Sequence, residues 1–445
     1  MAQWHLPAEV VICISAMAGS LHARLSARLL ALFTGVLFAR GRRTVASWLR
    51  GAGVHKDYKN YYYFLGSLGR KIRWVGSILV RRVFKTVPVG ERILLALDDT
   101  PTKRYGAHVE GAGIHHNPTP GPADQRFLYG HVWVTLALVV RHALWGTIGL
   151  PLWGLLYVRK KDITPVLKTY KVKFRTKLEL AADLVDWAVF CLESLGRTLW
   201  VVADGAYAKR AFLSRVLKAG VTVVSRLRKD AALWSLPKPK KPGRRGPQAT
   251  YGATRIDLTK RAGHRQAWQT DTFTLYGKEQ RKQYKTFLAT YRPVGGVIRV
   301  VLVRELKRPK GWVAFFCTDA AATVAQILEA VADRSAVEQV FHDIKEVHGA
   351  GQQQLRHYWA NVAAFNMNLW MHTLIELWAW DQPQRALTDR RASPWDDPDR
   401  RPSHADRRNA LRRLCLQEEF LRLQHDGPIA KSLQKRWNQL VNLAA

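Results

Sequence analysis

Acidic residues are scarce in this chain. Its 445 residues hold 34 Asp plus Glu against 70 Lys plus Arg, a formal net charge of +36. A folded body so charged repels itself unless a polyanion is near. Nucleic acid relieves that repulsion through phosphate contacts and counterion release; an anionic membrane surface is the other partner that composition allows. Cysteine is also rare: Cys13, Cys191, Cys317 and Cys415 lie far apart, with no C-x-x-C pair. That argues against a paired-thiolate zinc site and a disulfide framework, and fits a reducing cytosol. Long apolar runs are missing too. The best candidate, His131–Val158, is broken by Arg141 and His142 and again by Gly146, Gly149 and Pro151. The pieces are too short to span a bilayer and read instead as buried strands. The N-terminal apolar run lacks a basic segment before it and follows Glu9, so it reads as a helix, not a signal peptide. No repeat recurs at a fixed period.

What is present is a core. Hydrophobic residues make up 47% of the chain, enough for a folded protein, and the length points to two or three domains. Residues 1–88 read as helical, with Thr44 as an N-cap. Their basic and aromatic residues suit either DNA binding or an ordinary solvated face. From 89 to 232 strands and helices alternate, the pattern of an α/β sheet. A Thr-x-x-Glu capping box, Thr176 to Glu179, opens one of the helices. Residues 233–310 change character. A Pro/Gly-rich loop carries Lys238, Lys240, Lys241, Arg244 and Arg245, and short strands follow it as a β-rich insertion. Residues 311–380 return to the α/β pattern, with a long helix expected from Ala322 to about Val347. Residues 381–445 read as a charged linker and terminal helices, with Ser403 as a cap.

Two buried-looking strands run into aspartate. "ILLALD" ends at Asp98 and "LWVVAD" at Asp204. Functional groups of α/β sheets gather at the carboxyl ends of strands. A carboxylate there costs free energy unless it is paired or metal-bound, although either residue could simply cap the turn after it. Asp99 is expected to start the turn into Thr100-Pro101, on the opposite face from Asp98. The third element is "ADRSAVEQVFHDIKEVHG". At about 100° per residue, Arg334, Glu338 and Lys345 fall on one stripe of a helix beside its apolar face. An Arg–Glu pair at i,i+4 is common on solvated helices, but Lys345 returning to that stripe is not explained by such a pair. Asp343 is about 140° from Glu338 and is left out of the site. Two aspartates and a glutamate suit two Mg²⁺ or Mn²⁺ ions, which in phosphodiester displacement activate the attacking oxygen and stabilise the leaving one. Arg334 and Lys345 would grip the neighbouring phosphates.

These residues together resemble the DDE class of bacterial insertion-sequence transposases. "LDDT" matches the first strand motif, and "ADGAY" the second, Asp-x-x-Tyr, through Asp204 and Tyr207. Arg334, Glu338 and Lys345 match the Tyr-Arg-Glu-Lys signature, with Phe341 at its aromatic position and Val331 where the family has tyrosine. The resemblance covers roughly residues 90–380. It implies an RNase H-like catalytic core with a β-rich insertion, flanked by N-terminal and C-terminal helical regions. It implies Asp98, Asp204 and Glu338 as catalytic metal ligands. Arg334, Lys345, Tyr207 and the loop Lys238, Lys240, Lys241, Arg244 and Arg245 become DNA contacts. It further implies cleavage of double-stranded DNA at element ends and joining to target DNA, a homodimer in the DNA complex, and a cytoplasmic, nucleoid-associated protein without membrane contact. Trp268 and Trp312 are candidates to stack on a flipped base. A nuclease of the same fold without strand transfer, and a decayed DNA-binding relative, remain alternatives.

Overall fold

The computed structural model describes residues 4–117, 125–240, 245–306, 308–391 and 393–424. Of the expected loop contacts, Lys241 and Arg244 lie outside the described residues. The chain opens with four helices: α1 (Ala8–Ala18), α2 (Ala23–Phe38), α3 (Val45–Gly51) and α4 (Tyr58–Thr86). Thr44 caps α3 as its sequence suggests, accepting from Ser47 N–H. Strands β1 (Arg92–Lys103), β2 (Gly113–His116), β3 (Phe127–His142) and β4 (Gly146–Tyr157) follow. Then come α5 (Pro165–Thr169), α6 (Lys177–Leu192), β5 (Thr198–Ala203), α7 (Arg210–Lys218) and β6 (Thr222–Leu227). The capping box at Thr176 and Glu179 forms in both directions and starts α6.

The central sheet runs β4-β3-β1-β5-β6, with β2 on the edge of β3. β3 is antiparallel to both of its neighbours, β4 and β1, whereas β1, β5 and β6 are parallel. The run that suggested a membrane span is the β3–β4 hairpin, buried along most of its length. No helix among the described residues is long and apolar enough to cross a membrane. Pro151 sits inside β4 at an irregularity, where Leu136 pairs with Trp153 and Ala137 with Pro151. The bulge accommodates the missing N–H. Gly149, which the sequence suggested as a strand breaker, lies within β4 and allows a close approach. An added Cβ would stand 2.9 Å from Val340 Cγ2 and 3.0 Å from the Ala336 carbonyl oxygen.

The insertion supplies β7 (Leu233–Trp234), β8 (Arg255–Ile256), α8 (Leu258–Gly263), β9 (Gln269–Leu275), β10 (Lys278–Tyr291), β11 (Gly296–Glu305) and β12 (Arg308–Cys317). It is not a detached sheet. β12 pairs antiparallel with β6, Phe315 opposite Arg226, so the core sheet continues into β11 and β10. The boundary expected at 310 therefore falls inside a strand that belongs to both parts.

The last third contains α9 (Val324–Asp333), α10 (Ser335–Glu346), α11 (Tyr358–Ala379), α12 (Gln384–Leu387) and α13 (His404–Gln424). The single long helix expected from Ala322 is two helices that meet at Arg334. The break has a tertiary cause. Asp333 is drawn to the sheet by Arg141 Nη2 at 2.9 Å and by Thr147 Oγ1 at 2.8 Å, while Arg334 turns toward β1. α11 is buried along nearly its whole length. The N-terminal helices pack on it: Gly69 of α4 lies so close that a Cβ there would stand 1.9 Å from the Trp359 carbonyl oxygen. One hydrophobic core runs from Leu6 to Leu416, so residues 1–88 form part of the main body.

Candidate active site

β1 and β5 pair in parallel, with Leu97 opposite Ala203. The next residue on each strand is an aspartate, so Asp98 and Asp204 stand at the same level where β5 ends. Asp204 leaves the strand as the cap of a short turn, its Oδ2 accepting from Ala206 N–H at 3.2 Å. β1 does not stop there, contrary to the turn expected at Asp99. It continues to Lys103 paired only with β3, Asp99 opposite Val134 and Pro101 opposite Val132. Once β5 has ended, the missing N–H of Pro101 faces no strand, which is where a strand tolerates proline.

Asp98 Oδ1 accepts from Asp99 N–H at 2.8 Å, and Asp98 Oδ2 meets Arg334 Nη1 at 2.5 Å. The other arm of the same guanidinium, Nη2, donates to Glu338 Oε1 at 2.8 Å. Arg334 thus bridges the strand-end aspartate and the helix glutamate. Its side chain is 21% exposed, Asp98 is 20% and Glu338 59%, so the glutamate arm reaches solvent. Burial raises the Asp98 carboxyl from its ordinary 3.8 to about 6. Arg334 and the Asp99 N–H oppose the rise, and the Asp99 and Asp204 charges add to it.

Asp99 points elsewhere, as strand alternation requires. It takes Lys177 Nζ at 2.6 Å and the Tyr207 hydroxyl at 3.0 Å. Tyr207, expected to contact DNA, is instead buried. Burial first, then the nearby Asp99 and Asp98 charges, push its phenol well above the usual range and keep it a donor. It orders the Asp204 turn against β1.

Lys345 follows Glu338 by seven residues on α10. It is partly buried, and burial lowers its pKa. With Arg42, Arg43 and Lys103 it lines a cleft of about 1220 Å³. Arg42 and Arg43 enter from the α2–α3 connection, which is tied down by Arg43 N–H donating to Gln352 Oε1 at 2.9 Å. Nothing in the spacing of the N-terminal arginines pointed to this meeting with Lys103 and Lys345. Lys238, Lys240 and Arg245 are exposed on the insertion loop. Of the two candidate tryptophans, Trp268 has the Arg304 guanidinium 4.0 Å from its ring centroid, and Trp312 has Lys229 Nζ at 5.0 Å. Among the described residues, the group of three or more His, Cys, Asp or Glu ligands drawn within 4.8 Å of one another is Asp343, His372 and His404. Asp98, Asp204 and Glu338 are more open than that, with the Arg334 guanidinium between two of them.

A sheet that sets two aspartates at one level on neighbouring strands, together with a basic cleft, suits chemistry on a polyanion. The family model for the DDE superfamily endonuclease matches residues 16–285, more than half of the chain. The chain belongs to that family, whose members are metal-dependent nucleases acting on DNA. The match includes Asp98 and Asp204 and ends before Glu338. No curated protein matches the chain.

Proposed function

We propose that this protein is a DNA transposase that cuts at the ends of a mobile element and joins the freed strands to target DNA. The observation that carries the reading is the level placement of Asp98 and Asp204 on paired strands, linked through Arg334 to Glu338. The β4-β3-β1-β5-β6 order, antiparallel then parallel, supports an RNase H-like core around them. Asp98, Asp204 and Glu338 would hold two Mg²⁺ or Mn²⁺ ions, since hard cations take carboxylate oxygens. The donor set fits: Arg334 already occupies the place of a cation between Asp98 and Glu338. Bound there, the ions would supply activation of the attacking oxygen and stabilisation of the leaving one.

The chain's own groups do the rest. Arg334, released from the acids, is within reach to pair with a phosphate of the substrate. Arg42, Arg43, Lys103 and Lys345 would hold the DNA backbone along the cleft, and Lys238, Lys240 and Arg245 would extend that track on the insertion. Tyr207 and Lys177 hold Asp99 away from the reacting phosphate and keep β1 and the Asp204 turn in register.

The test uses DNA carrying the inverted repeats that flank the gene, incubated with Mg²⁺ and a supercoiled target. Transposition yields both cut ends and joined products. Asp204→Ala should bind the DNA and do neither. Cut ends without joined products would mark a nuclease, and equal cutting by wild type and Asp204→Ala would remove the carboxylate site from the mechanism.

A further inference from the structure

On the side of α10 turned away from Glu338, three helices bring a second set of ligand-type groups together. Asp343 of α10, His372 of α11 and His404 at the start of α13 each place a ligand atom within 4.8 Å of the others, and all three are buried. His372 Nε2 is 3.5 Å from Asp343 Oδ2. The His372 and His404 rings stack with centroids 3.9 Å apart. His372 is only 2% exposed, and its Nδ1 has no hydrogen-bond partner. A separate cavity of about 270 Å³ reaches Asp343, His372, Glu376 and His404.

We propose that Asp343, His372 and His404 form a structural binding site for a divalent transition metal of the zinc class, clamping α10 to α11 and α13. The ligand chemistry separates it from the carboxylate site. Imidazole favours zinc and its neighbours, whereas Mg²⁺ and Mn²⁺ prefer oxygen. Zinc bonds of about 2.0–2.2 Å place tetrahedral ligand atoms roughly 3.3–3.5 Å apart, and the 3.5 Å between His372 and Asp343 already has that spacing. Outer partners are in place as well. His404 Nδ1 lies 2.6 Å from Glu376 Oε1 and its Nε2 lies 2.8 Å from His348 Nε2. A bound metal would displace one of these two contacts, and the other nitrogen would keep its partner and fix the ring. Arg407 Nε in turn holds Glu376 Oε1 at 3.0 Å.

The full-length protein is treated with chelator, dialysed against a slight excess of Zn²⁺ and assayed for bound metal. One zinc per chain is expected, retained by the triple variant Asp98→Asn, Asp204→Asn, Glu338→Gln. His372→Ala and Asp343→Asn should lose it, and Glu376→Gln should weaken it about tenfold. Added Zn²⁺ should raise the thermal midpoint of wild type and leave Asp343→Asn unmoved. Because a variant could fail to fold, Co²⁺ is also titrated into wild type, where tetrahedral ligand-field absorption should saturate at one equivalent. Less than stoichiometric zinc, no such absorption, or full retention by Asp343→Asn would each overturn the site.

Discussion

Replacing Asp98 with asparagine should stabilise the metal-free protein while abolishing cleavage. Asparagine keeps the shape of the carboxyl group and removes its charge. In the folded protein that carboxyl is raised from 3.8 to about 6, chiefly by burial. Above pH 6 it is ionised in both folded and unfolded chains, and the difference costs the folded state about 3 kcal/mol. Below pH 3.8 it is neutral in both, and the cost vanishes. The gain from Asp98→Asn should therefore be close to 3 kcal/mol at pH 8, shrink as pH falls through 6, and disappear near pH 4. Urea unfolding at these pH values, with chelator present, measures it. Saturating Mg²⁺ should close the gap at pH 8, because a bound cation stabilises only the wild-type carboxylate. A variant less stable than wild type at pH 8, or a gain that does not change with pH, would refute the electrostatic account of this site.

Arg334→Ala should remove the cation between Asp98 and Glu338, costing about 1–3 kcal/mol. It should also move the acid limb of the cleavage pH profile upward, since the Asp98 carboxyl loses the group that lowers its pKa. Asp99→Ala should strip the buried Tyr207 hydroxyl and Lys177 of their partner, for a loss of about 1–3 kcal/mol by urea unfolding, yet keep measurable cleavage at 25 °C where Asp98→Asn keeps none. Gly149→Ala should push α10 off β4, because the new Cβ meets backbone and side chain at about 3 Å. The expected cost is about 1–3 kcal/mol, with cleavage falling more than DNA binding. Lys345→Ala should weaken DNA binding for all sequences and reduce the slope of log affinity against log salt by about one.

Much of this was legible in residue order alone. Alternating strands and helices, the Thr176 capping box, the strand-end position of Asp204 and the β-rich character of the insertion all rest on local chemistry, and local chemistry is what a sequence displays. The failures have a common physical origin in tertiary partners. Thr100-Pro101 reads as a turn, yet β1 runs through it because β5 has already ended and leaves that edge free for proline. No Gly or Pro marks the break at Arg334; Asp333 and Arg334 are pulled toward different strands by groups some 190 to 240 residues away. Tyr207 matches a motif, but its hydroxyl finds Asp99 rather than solvent. By its helical angle Asp343 faces away from Glu338. That same angle is what brings it to His372 and His404, whose positions in the chain give no sign of convergence.

The close seat of Gly69 against Trp359 bears on how such a protein can diversify. A recognition head on a flexible tether can be exchanged whole by recombination, because nothing in the rest of the chain depends on it. Here the first four helices share their interior with α11, so a graft would have to bring its own matching half of that interior. Changes to the charge of the cleft can accumulate by single substitutions at positions such as Arg42 and Arg43, which line it while the helices beneath them stay fixed.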